Sequence, residues 1–325
     1  MKTTIKPQFA RPGDLIGVYS PSGAVSQELM VNYERGRRCL EKRGYRVMEA
    51  SHTFESGGHY SSDGTTKAKD LMALVSNPEV KAILPTIGGT TAYQMLSKID
   101  YELIARNPKM IFGFSDNSLQ ACVIHQKTGL VTFHAQCNVV FGLGDLADKE
   151  KMKTYAQNGV YTEEQFFNAL EGRLRLGRVK QATKWRVLKP GNAEGLLIGG
   201  NLDVLQILHG SPYALDMRNA IFFWEFAYLD LHRLDLALAS FALTGGLSRL
   251  SGMVVGKGDR LRESFFPKIE SFDQIILRHC EPYKFPIIVD ADIGHDMECC
   301  ALPVGIRARV EEGELSLLDS PYSDA

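Results

Sequence analysis

Along the N-terminal half of the chain, short apolar runs alternate with stretches whose apolar residues recur at helical spacing. Asp14–Ser20, Tyr45–Glu49, Val80–Pro85 and Lys109–Phe114 read as strands. Between them, Gln27–Arg43, Thr65–Ser76, Thr91–Lys98 and Asn117–Lys127 read as helices, the first closed by Gly44 at its C-cap. Strands alternating with helices of this length build an α/β domain around a largely parallel sheet.

From about Gly142 to Pro190 the periodicity weakens and the residues turn polar and charged, with one helical piece at Glu163–Glu171. This stretch reads as a long connection, and connections of that length often serve as lids or substrate loops. The pattern restarts at Gly195–Gly200. Leu202–His209 and Leu231–Thr244 read as helices, Ala220–Phe226, Met253–Lys257 and Pro286–Asp290 as strands, and Arg307–Glu311 with Glu314–Leu318 as a closing hairpin. The expected protein is α/β: a Rossmann-like or flavodoxin-like parallel-sheet domain over 1–145, a connecting segment or substrate loop over 146–190, and a smaller C-terminal α/β domain with a mixed sheet over 191–325.

The 325 residues are 44% hydrophobic and 23% charged, the balance of an ordinary globular enzyme, and the formal net charge of −1 gives no pull toward nucleic acid or an anionic membrane. No apolar run is long enough to span a bilayer, and Met1–Pro12 has no apolar core of a secretory signal, so a cytoplasmic protein is expected. The six cysteines (Cys39, Cys122, Cys137, Cys280, Cys299 and Cys300) include no CxxC pair and read as reduced, mostly buried thiols.

Candidate chemistry gathers at a few strand ends. Gly113-Phe-Ser115-Asp116 passes straight from a strand into a helix, which presents the Ser115 hydroxyl at the carboxyl edge of a parallel sheet, where ligands bind. The amide of Asp116 then lies at a helix N-terminus and offers one donor to a developing oxyanion. Asn117 stands where a full GxSxG elbow has its last glycine, and the simpler role for Ser115 is a helix cap. Gly88-Gly89 also follows a strand; it is either a plain tight turn or a second oxyanion or phosphate cradle. Glu225 lies inside the apolar run Phe222–Ala227, where a carboxylate needs a partner, either a structural ion pair or a histidine that it orients. His295 sits on a glycine-containing loop after a strand, placed for acid–base work or for capping backbone groups. The surrounding Asp290–Cys300 cluster raises a metal-dependent hydrolase as an alternative, although its spacing matches no strong zinc pattern. Of the other seven histidines, His125, in the helix after Ser115, is the reserve base. Trp185 packs at a strand start or stacks on a nucleobase.

Together these segments resemble the serine LD-carboxypeptidase family, which includes muramoyl-tetrapeptide carboxypeptidases and microcin C immunity peptidases. The resemblance rests on Arg11-Pro-Gly-Asp-Leu-Ile-Gly-Val-Tyr-Ser-Pro-Ser22, Gly113-Phe-Ser115-Asp116, Thr132-Phe-His-Ala135, Gly195-Leu-Leu-Ile-Gly-Gly-Asn-Leu202, Glu225, and Gly294-His295 with Leu302-Pro-Val-Gly305, in the right order over most of the chain. It implies a Ser115–His295–Glu225 triad, oxyanion donors from Asp116 and the Gly88-Gly89 turn (Gly89 in particular), a site between two domains, a homodimer, and no metal or cofactor. Two departures bear on the substrate. Phe226 replaces the aspartate usual after the family's glutamate, and Ile87 replaces the arginine that many murein-cleaving members carry before the paired glycines. Ile87 and Trp185 look more like the microcin-immunity branch, whereas Thr90-Thr91-Ala92 does not match that branch's asparagine-containing run. The implied substrate is therefore either the amide to terminal D-alanine of a murein peptide or the amide of an aminoacyl-nucleotide. A non-catalytic two-lobed ligand-binding protein is the alternative outside enzymes.

Overall fold

The four apolar runs of the N-terminal half pair side by side in one sheet with a fifth strand, Thr132–His134, in a computed structural model that describes residues 2–142, 153–227, 230–257, 270–295 and 298–323, without the side chains of 153–158. The order along the chain is β1 (Leu15–Tyr19), α1 (Gln27–Lys42), β2 (Arg46–Glu49), α2 (Gly64–Ser76), β3 (Val80–Pro85), a 3₁₀ helix (Ala92–Lys98), α3 (Tyr101–Arg106), β4 (Met110–Gly113), α4 (Asn117–Thr128), β5 (Thr132–His134) and α5 (Lys153–Leu170). The sheet runs β2-β1-β3-β4-β5, all parallel, with Leu302–Val304 added antiparallel on the outer edge of β5. Of the two expected arrangements, this is the flavodoxin-like order, and its direction reverses between β1 and β3. The carboxyl ends of β1, β3 and β4 therefore bring Ser20–Gly23, Thr86–Gly89 and Phe114–Asp116 to one edge.

β1 and β4 are buried at every position, as strands covered on both faces must be. α4 is buried nearly all round, while α1 turns Tyr33, Gly36 and Leu40 inward and starts at the N-cap Ser26. Contacts group the chain into two units. The first holds Met1–Leu174, Met297–Val304 and Pro321–Ala325.

The second unit, Arg175–Asp296 with Gly305–Ser320, contains β6 (Gly177–Arg178), β7 (Arg186–Lys189), β8 (Ala193–Asn201), α6 (Leu202–Leu205), β9 (Ala220–Glu225), α7 (Leu231–Leu243), β10 (Leu250–Gly256), α8 (Phe272–Cys280) and β11 (Ile287–Ala291). After β12, the Leu302–Val304 edge strand already placed in the first unit, β13 (Arg307–Glu311) and β14 (Glu314–Leu317) complete it. Its eight strands run β6-β14-β13-β8-β9-β10-β11-β7, a mixed sheet with a parallel centre, β8 to β11. β9 is wholly buried and contributes Phe222, Phe223 and Trp224 to the core.

The chain between 146 and 190 is thus more than a connection. Residues 146–152 lie outside the described part. α5 packs Phe166 against Phe112 and Phe141 in the first unit, with ring centroids 4.9 and 4.3 Å apart. β6 and β7 form the two outer edges of the second sheet. Edge strands carry little apolar signal because one side of each faces water, which is why this stretch reads as aperiodic. The second unit also differs from the expected continuous 191–325, since 297–304 and 321–325 return to the first. All six cysteines are buried thiols outside any disulfide.

Gly199 of β8 stands opposite Phe223 of β9, and a methyl group there would collide with the Phe223 carbonyl oxygen. Gly199→Ala is expected to destabilise the second unit by about 3 kcal/mol, the upper end of overpacking costs. Both tryptophans lie in that unit, so a lower urea midpoint in tryptophan fluorescence checks it.

Candidate active site

The chain turns sharply between β4 and α4, and Ser115 takes the strain. Its φ is 54°, a left-handed conformation that a residue with a side chain adopts only when its surroundings hold it there. Hydrogen bonds from the Asn117 amide to the Phe114 carbonyl (2.9 Å) and from the Ser118 amide and hydroxyl to the Ser115 carbonyl (3.0 and 2.7 Å) close the turn. Gly113 is needed for it, because a methyl group there would strike the Asn117 carbonyl and the Ala121 side chain. The N-cap position of α4 falls on Asp116, so Ser115 does not serve as the cap. The first amides of α4 lack intrahelical acceptors and mark the positive end of its dipole.

Gly88 abuts the serine: a methyl group on it would lie 3.0 Å from both Cβ and Oγ of Ser115. The Gly88 carbonyl accepts from the Gly23 amide (3.0 Å), and the Ile87 carbonyl accepts from Asn117 Nδ2 (2.9 Å). Gly89, exposed at φ 152°, has Ser22 behind it. The loops after β1, β3 and β4 are thereby knitted together. The Asp116 side chain turns inward, where Oδ2 accepts from the Ser22 hydroxyl and from the Ala92 amide (2.7 Å). Burial pushes its pKa up against the lowering effect of those bonds.

In the second unit, Glu225 ends β9 and is 1% exposed. Its Oε2 lies 2.6 Å from His295 Nδ1, and its Oε1 accepts from Asn201 Nδ2 at 3.0 Å. A carboxylate accepts here, so Nδ1 carries the proton and Nε2 is left as the basic nitrogen. Asn201 is the register partner of Glu225 on β8, and its Oδ1 accepts from the Val204 amide (3.3 Å) to cap α6. The structure thus joins two predicted site residues, Glu225 and His295, and adds Asn201. Its signal was visible as the asparagine that ends the Gly199-Gly200 strand.

The remaining candidates are committed elsewhere. Trp185 is 4% exposed and donates Nε1–H to Asp292 Oδ2 (2.9 Å), so it packs in the core and has no face open for a nucleobase. Asp292, fully buried, also accepts from the Ala182 and Thr183 amides and the Thr183 hydroxyl, and pairs with Lys257 at 3.0 Å. Asp290 pairs with Arg186 at 2.8 Å. Asp296 of this cluster lies outside the described residues; among those described, no group of three or more His, Cys, Asp or Glu side chains is arranged to hold a metal ion. His125, the reserve base, has Nδ1 3.0 Å from the Leu130 carbonyl oxygen, and burial lowers its pKa.

Comparison with known proteins assigns the class. The family models for the LD-carboxypeptidase N-terminal and C-terminal domains match residues 16–135 and 194–310. The Bacillus subtilis protein YocD, which carries a carboxypeptidase name, is 30% identical over 324 residues, covering 93% of this chain and 94% of that one. A B. subtilis protein with a murein peptide carboxypeptidase name is 27% identical over 310 residues (95% and 92%), and the Escherichia coli microcin C7 self-immunity protein MccF is 25% identical over 323 (94% and 93%). The crystal structure of an MccF-like protein from Bacillus anthracis superposes with a TM-score of 0.82 at 27% identity, covering 97% of this chain and 99% of that one. The chain belongs to the LD-carboxypeptidase family, and it is a hydrolase of the serine carboxypeptidase type.

The Asp292 anchor gives a pH-dependent expectation. Burial alone would raise its pKa, but the bonds from Thr183, Trp185 and Lys257 outweigh burial and hold it below the ordinary carboxylate range. A depressed carboxylate contributes stability that is complete above its unfolded pKa of about 4 and is lost as pH falls through the folded value. Asp292→Asn is therefore expected to lower the melting temperature at neutral pH and to flatten its decline below about pH 4, measured by thermal melts followed by tryptophan fluorescence.

Proposed function

We propose that the chain is a serine amide hydrolase in which Ser115 is the nucleophile, His295 its general base and Glu225 the group that orients the base. The observation that carries this reading is the 2.6 Å bond from His295 Nδ1 to the buried Glu225 carboxylate, which leaves Nε2 basic. The strained turn that presents Ser115 supports it.

In the reaction so read, Nε2 takes the Ser115 proton as Oγ attacks the amide carbonyl and the carbonyl electron pair moves to oxygen. The oxyanion is held by amides of Asp116 and of the Gly88-Gly89 turn. The imidazolium, stabilised by Glu225, then protonates the leaving amine as the C–N bond breaks. Water, deprotonated by Nε2, attacks the acyl-enzyme and releases the acid and Ser115. Asn201 holds the second oxygen of Glu225, so the carboxylate cannot rotate away from the imidazole.

For substrate, we propose the amide joining an L-centre to terminal D-alanine in murein peptides. The likeness to a murein peptide carboxypeptidase supports it, and Trp185, buried on Asp292, offers no exposed ring for a nucleobase. The amide of an aminoacyl-nucleotide is the second reading, supported by the likeness to MccF and by Ile87 in place of an arginine. On the first reading the protein works in the cytoplasm, as a homodimer, in peptidoglycan recycling.

Ser115→Ala and His295→Ala are each expected to cut kcat by about a thousandfold or more, with the melting temperature unchanged in Ser115→Ala and lowered in His295→Ala, which takes one donor from the buried Glu225 carboxylate. Turnover near the wild-type rate in Ser115→Ala would overturn the assignment. Mass spectrometry after separate incubation with murein tetrapeptide and with an aminoacyl-sulfamoyl adenosine decides the substrate: loss of D-alanine from the first supports the murein reading, and cleavage of the second alone replaces it.

A further inference from the structure

The mechanism above uses the amide of Asp116 and leaves its carboxylate without a task. That carboxylate follows the candidate nucleophile directly and is 1% exposed. Its Oδ2 accepts from the Ser22 hydroxyl, after β1, and from the Ala92 amide, after β3. Ser22, itself fully buried, accepts from the Thr91 amide through Oγ (3.1 Å), and its carbonyl accepts from the Thr91 hydroxyl (3.2 Å). From α2, the fully buried Lys67 donates to Thr91 Oγ1 (2.8 Å), to the Thr91 carbonyl (3.3 Å) and to Gln94 Oε1 (3.2 Å). The charges of Lys67 and Asp116 act on each other.

This network encloses the segment that touches the serine. Gly88 is half-buried, and Gly89 and Thr90 are exposed. The anchors on either side (Ser22, Thr91, Ala92 and Asp116) are all buried. An ammonium and a carboxylate buried together stabilise a fold poorly, since apolar residues of similar volume usually serve as well. They do fix geometry. An oxyanion donor acts only within about 2.7–3.1 Å of the developing charge, and a 1 Å misplacement costs about 100-fold in rate.

We propose that Asp116 is a positioning residue. Through Ser22 and the Thr91–Ala92 backbone, its carboxylate fixes the Gly88-Gly89 donor loop against Ser115, with Lys67 as the buried counter-charge that completes the tie. This inference rests on the reading of Ser115 as nucleophile.

The test compares Asp116→Ala, Asp116→Asn, Ser22→Ala and Ser115→Ala in the full chain. Each is measured for kcat, KM and melting temperature, and the three that keep Ser115 also for the rate at which diisopropyl fluorophosphate modifies it. Titration with the same reagent counts competent molecules, so kcat refers to folded protein. Asp116→Ala and Ser22→Ala are expected to lower kcat about 100-fold and to slow modification in parallel, with KM changed less than about threefold. Asp116→Asn, which keeps an acceptor for Ser22 and Ala92, is expected to recover about tenfold of that loss. A merely structural carboxylate would lower the melting temperature and leave kcat per competent molecule and the modification rate unchanged, and that result overturns the proposal. Should Asp116→Ala fail to fold, Ser22→Ala, which removes one hydroxyl, decides by the same criteria. If Ser115→Ala is inactive while Ser22→Ala turns over like wild type, this inference alone falls. If Ser115→Ala stays active, the nucleophile reading falls and takes the inference with it.

Discussion

A carboxylate held away from water at the end of a central strand governs the candidate chemistry of the second unit. Glu225 closes the apolar run of β9, and an ionised group at 1% exposure persists only if each oxygen finds a donor. One donor is local to the sheet: Asn201, its register partner on β8. The other is His295, 70 residues further along. With both oxygens satisfied the carboxylate has no freedom left to rotate. The imidazole it binds is fixed in tautomer and in plane, and the histidine loop after β11 is held to the sheet at the same point. Orientation of a base and satisfaction of a buried charge are here one interaction.

The first unit solves a similar problem at its own sheet edge. Ser115 is held at φ 54°, a conformation that costs about 1–3 kcal/mol. Local bonds close the turn, and segments remote in sequence brace it: Asn117 reaches the Ile87 carbonyl and Asp116 reaches Ser22 and Ala92. A serine in a relaxed turn would need none of these. In both units, polar groups converge just beyond the carboxyl ends of parallel strands, where the backbone runs out of sheet partners and side chains take over.

What was legible in the sequence follows the same division. Strands covered on both faces announce themselves as unbroken apolar runs, and β1, β3, β4, β9 and β11 stand within a residue or two of where periodicity places them. The segments it misses are short or sit at edges. β7 is half exposed, and β12 spans three residues with Pro303 in the middle, a residue tolerated only at a sheet edge. α8 carries a local signal in the sequence, the Ser271 and Gln274 capping box, in which each side chain bonds the other's backbone amide. The run that reads as a helix over Thr91–Lys98 forms a 3₁₀ helix over Ala92–Lys98, with Thr91 at its N-cap position bonded to the Ser22 carbonyl.

The site divides in the same way. The Ser115 turn is written locally, in a strand, a glycine and a helix start, so residue order alone points to it. The partners of its neighbour are not: Asp116 meets Ser22 across 94 positions and Ala92 across 24. Spacing could single out the Asp116 amide, because a helix N-terminus is a local feature, but gave no hint that the carboxylate faces the other way. The pairing of Glu225 with His295 is equally invisible to periodicity, and resemblance to a family supplied it. Trp185 is a case where sequence leaves two readings, packing at a strand start or stacking on a nucleobase. The strand after it and the buried Asp292 draw the ring inward. A polar neighbourhood in sequence says little about a side chain whose hydrogen-bond partner lies 107 residues away. Long-range partners of buried polar atoms therefore decide the candidate site, as apolar periodicity decides the sheets.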